Sequence, residues 1–213
     1  MTDGTKRIID ETEKIKKIIV GDGLCCYLID DNLYFYSFGN NDNVLKTKIS
    51  EHVYDFAVVD NYVYYRRQTG DIADEGNGPF ADISKLSLSS QIEAYDIKTH
   101  EYQFIAETGL QVEIYLARLN NGIAFWQNGE IIYADLNKQQ TLTTGKLIDF
   151  MMTDSQFIYF SDYDSNSILR YNITTGSEEV VLNNIEEVDG VGENILYLHD
   201  GTQIKPHAVS EVG

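Results

Sequence analysis

Five times along the chain a hydrophobic run meets an aromatic strand across a turn built from Asp or Asn, and this recurrence restricts the folds open to it. The second residue of each aromatic strand marks the repeat: Tyr34, Tyr64, Ala124, Tyr159 and Tyr197, at steps of 30, 60, 35 and 38 residues. The remaining step, from Tyr197 through the C-terminus and on from Met1 to Tyr34, is 50 residues, so five steps use all 213 with a mean near 43. The apolar runs are Leu24 to Ile29, Tyr54 to Val59, Ile114 to Leu119, Ile148 to Met152 and a weaker one around Val188 to Val191. Each ends in a polar turn: Asp30-Asp31, Asp60-Asn61, Asn120-Asn121 and Asp154-Ser155 follow the first four. Asp, Asn and Gly serve there because their side chains bond nearby backbone groups or tolerate positive φ.

After each aromatic strand comes a second hairpin. The clearest is Ile123 to Gln127, then Asn128-Gly129, then Glu130 to Asp135. Asn-Gly favours the type I′ turn, whose twist matches paired strands. One repeat therefore reads as four short antiparallel strands, and a repeat of roughly 40 to 45 residues has the length of a propeller blade. The expected fold is all-β, a five-bladed β-propeller forming a single domain over 1–213, with blades starting near 31, 61, 121, 155 and 193. The nearest helical candidate, Asp10 to Val20, puts Ile15, Ile18 and Ile19 on one face, but its Ile-rich end favours a strand.

A hydrophobic content of 43% is enough for a sizeable core at this length. No run of 18 apolar residues suggests a membrane span, and no basic-then-apolar segment reads as a signal peptide. The compartment stays open: cell-surface or secreted if the chain is excised from a longer protein, otherwise cytoplasmic. Its abrupt start inside a repeat keeps a partial propeller as an alternative. Cys25 and Cys26 are adjacent, and a bridge between neighbours is strained, so free thiols in a strand are expected. A net charge of −18 argues against nucleic acid as a partner, since phosphate binding draws on clustered Lys and Arg. The acidity is concentrated between Asp149 and Asp200, where eleven acids face the single base Arg170.

The segment Ile158-Tyr159-Phe160-Ser161-Asp162, then Ile168-Leu169-Arg170-Tyr171-Asn172, then Glu178 to Leu182 resembles one repeat of the YWTD-type and TolB-like propellers. In those families an aromatic strand ends in Thr or Ser then Asp, a second strand carries Ile-x-Arg or Leu-x-Arg, and an outer strand follows a Gly turn. Met1 to Asp10 looks like the late part of such a repeat, and Asn194 to Gly201 like an early part. The resemblance therefore implies a last blade closed by N- and C-terminal strands, which would leave no open sheet edge. The first step leaves room for three strands rather than four.

Candidate chemistry lies where the repetition fails. An insertion from Gln68 to Ser90 brings Asp71, Asp74, Glu75 and Asn77 as candidate ligand-binding residues, because loops of this length in a compact domain are usually functional or disordered. Asp162, Asp164 and Asn166 place oxygen ligands at alternate positions, as the first half of a calcium loop does, although the Gly and the closing Glu are missing and a polar hairpin tip explains them equally. Calcium is thus the one cofactor considered; otherwise none is expected. Glycoside hydrolysis needs two carboxyl groups about 5 to 10 Å apart, and Asp55 and Asp149, each early in a strand lining a channel, are the weak candidates for catalysis. The histidines His52, His100, His199 and His207 lack metal-ligand spacing, and no Gly-x-Ser-x-Gly elbow is present. Most aromatics are expected to pack between blades, with Tyr62, Tyr65, Tyr102, Tyr115 and Tyr163 as candidates for stacking on a sugar or peptide.

The expected function, as the resemblance implies, is a non-enzymatic binding or scaffold propeller presenting loops to a protein or glycan ligand. It is expected to be a monomer without membrane insertion. The alternative is a glycosidase-like hydrolase using channel carboxylates.

Overall fold

A strand whose consecutive side chains are all apolar has no solvent face, so it must lie between two layers. The segment Phe157 to Asp162 is buried at every position, and the architecture explains why. The computed structural model describes residues 14–21, 24–37, 45–69, 89–108, 116–145, 148, 150–154, 156–183, 187–192, 195–199 and 203–209. These residues form nineteen strands in five small antiparallel sheets, an all-β fold of the five-bladed β-propeller class. Among the described residues no helix is long and apolar enough to cross a membrane. The chain divides into two compact units, Met1–Val53 and Tyr54–Gly213.

The first unit is a meander of β1 (Ile15–Gly21), β2 (Leu24–Ile29), β3 (Asn32–Ser37) and β4 (Leu45–Ser50). Asp30 and Asp31 join β2 to β3 at φ of 46° and 61°, the left-handed pair that a two-residue hairpin requires. On one face Cys25, Tyr27, Ile29 and Tyr36 form a cluster with Tyr34. The Tyr27 and Tyr34 rings stack at 5.5 Å, with the Lys46 ammonium 4.4 Å from the centre of the Tyr34 ring. Both cysteines are free and buried.

The second unit carries the other four sheets. They are β5 (Val53–Val59), β6 (Tyr62–Gln68), β7 (Ser90–Asp96) and β8 (Tyr102–Thr108); β9 (Ala117–Leu119), β10 (Gly122–Gln127), β11 (Glu130–Ala134) and β12 (Gln139–Thr143); β13 (Met151–Thr153), β14 (Phe157–Asp162), β15 (Ser167–Asn172) and β16 (Glu178–Asn183); and β17 (Glu187–Gly192), β18 (Ile195–His199) and β19 (Ile204–Ala208). Each sheet is an antiparallel meander in sequence order.

Alternation along the central strands sends neighbouring residues into different cores. In β14, Ile158 and Phe160 join Leu119, Ala124 and Ile131 of the preceding sheet, whereas Phe157 and Tyr159 join Leu196 and Leu198 of the following one. In β10, Ile123 and Phe125 face Tyr64, Ile92 and Ala94, while Ala124 faces the β14 sheet. Fully burying each such side chain contributes about 1.5–3 kcal/mol. Ala124, which departs from the repeat's aromatic marker, is itself completely buried.

Between Leu33 and Val59 the 30-residue step holds three strands, β3 to β5, of which β3 and β4 belong to the first sheet and β5 to another, and β1 completes the first sheet as its fourth strand. In four sheets the apolar strand of the repeated hairpin is an edge strand; in the first, β1 pairs along β2 and makes it internal. The Ile-rich segment is therefore a strand. The closure expected of the termini rests on residues 1–10, which lie outside the described residues; β1 pairs with β2, and β19 with β18. The 68–90 insertion joins the two strands of one hairpin, β6 and β7, whose register runs from Tyr62↔Asp96 to Gln68↔Ser90. Thr69 extends it by donating its N–H to the Ser89 carbonyl at 2.9 Å.

The turns obey one rule. Asp96, Asp135, Asp154 and Asn172 each use Oδ1 to accept the N–H groups of the residues two and three positions on. For Asp135, burial alone would raise the pKa, but the N–H groups of Asn137 and Lys138 and the Tyr133 hydroxyl together lower it. Gly122 is dictated by approach rather than by φ, since a Cβ there would run into the Ala134 carbonyl oxygen and meet the Asp135 Cβ at 3.0 Å.

Two outcomes follow from this packing. Gly122→Val is expected to destabilise the fold by about 1–3 kcal/mol through overpacking, read as a lower urea midpoint. Burial, reinforced by the neighbouring Cys25, pushes the Cys26 thiol up from 9.0 to about 12. The folded state thus holds this proton more tightly, so the stabilisation is complete below about pH 9 and lost as pH rises toward 12. The unfolding midpoint should fall over that window, less so in Cys26→Ala, and thiol reagents should label the native protein slowly at pH 8 and the unfolded protein fast.

Candidate functional site

β9 and β13 open neighbouring sheets of the second unit, and each runs into a short polar turn. In β9 the alternation is strict: Ala117 and Leu119 enter the core shared with the β14 sheet, and Arg118 between them is exposed. Asn120 follows at φ 44°, starting the turn into β10. In β13 the Thr153 hydroxyl donates to the main-chain carbonyl of Arg118, tying the two strands together at this end. Arg118, Asn120, Thr153 and Asp154 line a cleft of about 300 Å³.

The carboxylate in this cleft is engaged. Asp154 Oδ1 accepts from the Gln156 and Phe157 N–H groups at 2.8 Å each, and Oδ2 accepts from the Tyr159 hydroxyl at 3.1 Å. Burial, then the Asp154 charge and hydrogen bond, push the Tyr159 phenol up to about 12. The guanidinium is not engaged. Arg66 donates to Ser90 Oγ at 3.0 Å and lies 5.1 Å from the Tyr54 ring centre. Arg67 makes two 3.0 Å bonds to Glu93, and buried Arg170 donates to Glu179 with its guanidinium 4.3 Å from the Phe157 ring centre. Arg118 alone of the described arginines has no hydrogen bond or ion pair to its guanidinium among the described residues.

The candidates read from the sequence are placed differently. Asp55 accepts the N–H of Phe56 at 2.8 Å on one oxygen and that of Leu116 at 2.9 Å on the other, linking β5 to the residue leading into β9. Asp149 lies outside the described residues, as do Asp71, Asp74, Glu75 and Asn77. Asp162 is buried at the end of β14 and accepts from Ser165 at 2.8 Å, Asp164 is exposed in the turn, and Asn166 closes it at φ 50°. The hairpin tip is thus stabilised by its own hydrogen bonds, and among the described residues no group of three or more His, Cys, Asp or Glu is placed to hold a metal ion. Tyr65 is buried, with its hydroxyl on Glu93, and cannot stack on a ligand, whereas Tyr102 and Tyr163 are exposed. Tyr115 lies outside the described residues.

Sequence reasoning took Asn120 and Asp154 as turn formers and passed over Arg118 and Thr153. One signal pointed to Arg118: it is the only Lys or Arg between Lys98 and Lys138, set inside an otherwise apolar run.

No protein-family model and no curated protein sequence matches the chain. Its fold is similar to that of the acylaminoacyl peptidase of Pyrococcus horikoshii (TM-score 0.57, 10% identity, 92% of this chain and 46% of that one). It is also similar to Hsv2p of Kluyveromyces lactis (0.55, 12%, 92% and 60%) and to BamB of Moraxella catarrhalis (0.53, 13%, 87% and 54%). The chain thus spans about half the length of these structures. At such identities the likeness is one of fold, and it supports a generic β-propeller.

Proposed function

We propose that the chain is a non-enzymatic binding or scaffold module that presents the turns at one end of its blades to a protein ligand. One observation carries this reading: in the cleft between β9 and β13 the acid is consumed by the turn it stabilises, while an arginine on a rigid strand faces solvent with its donors unused. Arginine is enriched at protein interfaces, where its planar fork reads carboxylates and backbone carbonyls.

Hydrolysis asks for the opposite arrangement. A glycosidase requires two carboxyl groups free to exchange protons across a sugar. Asp55 instead has each oxygen occupied by a main-chain N–H, which is a structural use of an acid.

Two experiments separate these readings. A peptide and glycan array probed with the purified protein is expected to retain a subset of peptides without turnover of any glycan; glycan cleavage that disappears in Asp55→Asn would establish the hydrolase instead. Asp55→Ala is expected to lower stability by about 1–3 kcal/mol, because two N–H groups lose their acceptor, while the array pattern stays the same. An altered pattern at unchanged melting temperature would place Asp55 in the ligand site.

A further inference from the structure

We infer that the Arg118 cleft takes a carboxylate of a protein segment, either that of an Asp or Glu residue or the terminal α-carboxylate, with the guanidinium as fork and the Asn120 amide beside it. The inference rests on the binding-module reading and names its ligand chemistry.

Four observations converge on it. The first is rigidity: Arg118 stands between two buried residues on β9, and its own carbonyl is held by Thr153, so the side chain projects from a fixed backbone. Such a base reduces the ordering cost of binding. The second is the donor inventory. A guanidinium offers five N–H groups in a plane and accepts nothing, and a carboxylate is the group that pairs with two of them at once. The third is Asp154, which shares the cleft but is held by three donors of its own sheet and makes no ion pair with Arg118. The fourth is contrast: Arg67 and Arg170 in the same unit each hold a glutamate, so this protein already uses arginine to grip carboxylates.

Net charge is the main counter-argument, since a protein of −18 repels anions. Screening decides it. At physiological ionic strength the Debye length is about 8 Å, so distant acids are largely masked while a contact pair near 3 Å is not. The ligand therefore gains its affinity from local contact rather than from steering. A phosphate dianion fits less well, because one cation would face two charges with Asp154 close by. A basic ligand would meet Arg118 directly and be repelled.

The test uses the full-length protein labelled with 15N and the Arg118 Nε–Hε resonance, assigned by its loss in Arg118→Lys. Three probes are titrated: an acetylated tripeptide amide with a central glutamate, the same peptide with a central glutamine, and acetylated trialanine with a free terminal carboxylate. The resonance is expected to move saturably with the glutamate peptide, with the free-carboxylate peptide or with both, and the responding arm names the source. The glutamine peptide should leave it still. Arg118→Lys keeps the charge but loses the fork, and is expected to weaken binding roughly tenfold or more at an unchanged melting temperature. No response to either carboxylate probe, an equal response to glutamine, undiminished binding by Arg118→Lys, or a stronger response to inorganic phosphate would overturn the inference. Array peptides that bind while Arg118 stays still would also overturn it, yet leave the binding-module reading standing; an Arg118 response with no array ligand would count against that reading alone.

Discussion

The second unit depends on burial of its central strands from both sides. A sheet whose central strands are apolar on both faces leaves hydrophobic surface in water unless both faces are covered. Stacking three four-stranded sheets and one three-stranded sheet turns the faces between them into shared cores, so β10 and β14 can be apolar at consecutive positions without exposing any of them. Paired strands satisfy one another's backbone groups within each meander, and between sheets there is side-chain packing with a few specific hydrogen bonds. Those bonds recur at the ends of strands. Asp55 reaches the Leu116 N–H, Thr153 the Arg118 carbonyl, Gln103 the Leu136 carbonyl and Thr143 the Glu178 carboxylate.

The candidate cleft is a by-product of that stacking. Where these two sheets meet, β9 runs into a turn that Asn120 starts at φ 44°, and β13 into a turn that Asp154 closes through two main-chain N–H groups. A cleft lies there, lined by residues of both strands and their turns. Whatever residue alternates outward just before the turn then lines the gap. On β9 that residue is Arg118, and on β13 the outward hydroxyl of Thr153 anchors the neighbouring backbone.

The legible part of this molecule is the part that repeats. Asp30, Asp60, Asn120 and Asn128 were read as turn residues, and each adopts positive φ; Asp154 was read the same way and closes its turn through two main-chain N–H groups. These are local interactions, within three or four residues, so the sequence carries their cause. Arg170 was visible as part of a repeat pattern, but its burial against Phe157 and Glu179 was not. The place of β1 was not legible either. A strand preceding a hairpin can add to either of its edges, and nothing in Ile15 to Gly21 selects β2 over another partner until the sheet exists.

The amino-acid sequence by itself determined the element type, the turn positions, the three strands of the first step and the five sheets, because these follow from period-two alternation and from the chemistry of Asp, Asn and Gly. Only the tertiary structure decided which acids hold backbone amides and which of the described arginines leaves its guanidinium without a partner among the described residues. Asp55 reads from the sequence as a weak catalytic candidate and Asp154 as a turn former, and both turn out to hold backbone amides, Asp55 one that is 61 positions away in sequence. Arg118 looks like an ordinary surface base, yet among the described arginines it alone leaves its guanidinium ungripped by the rest of the protein. Pairing between residues far apart is a property of how sheets stack, and a sequence read in order does not contain it.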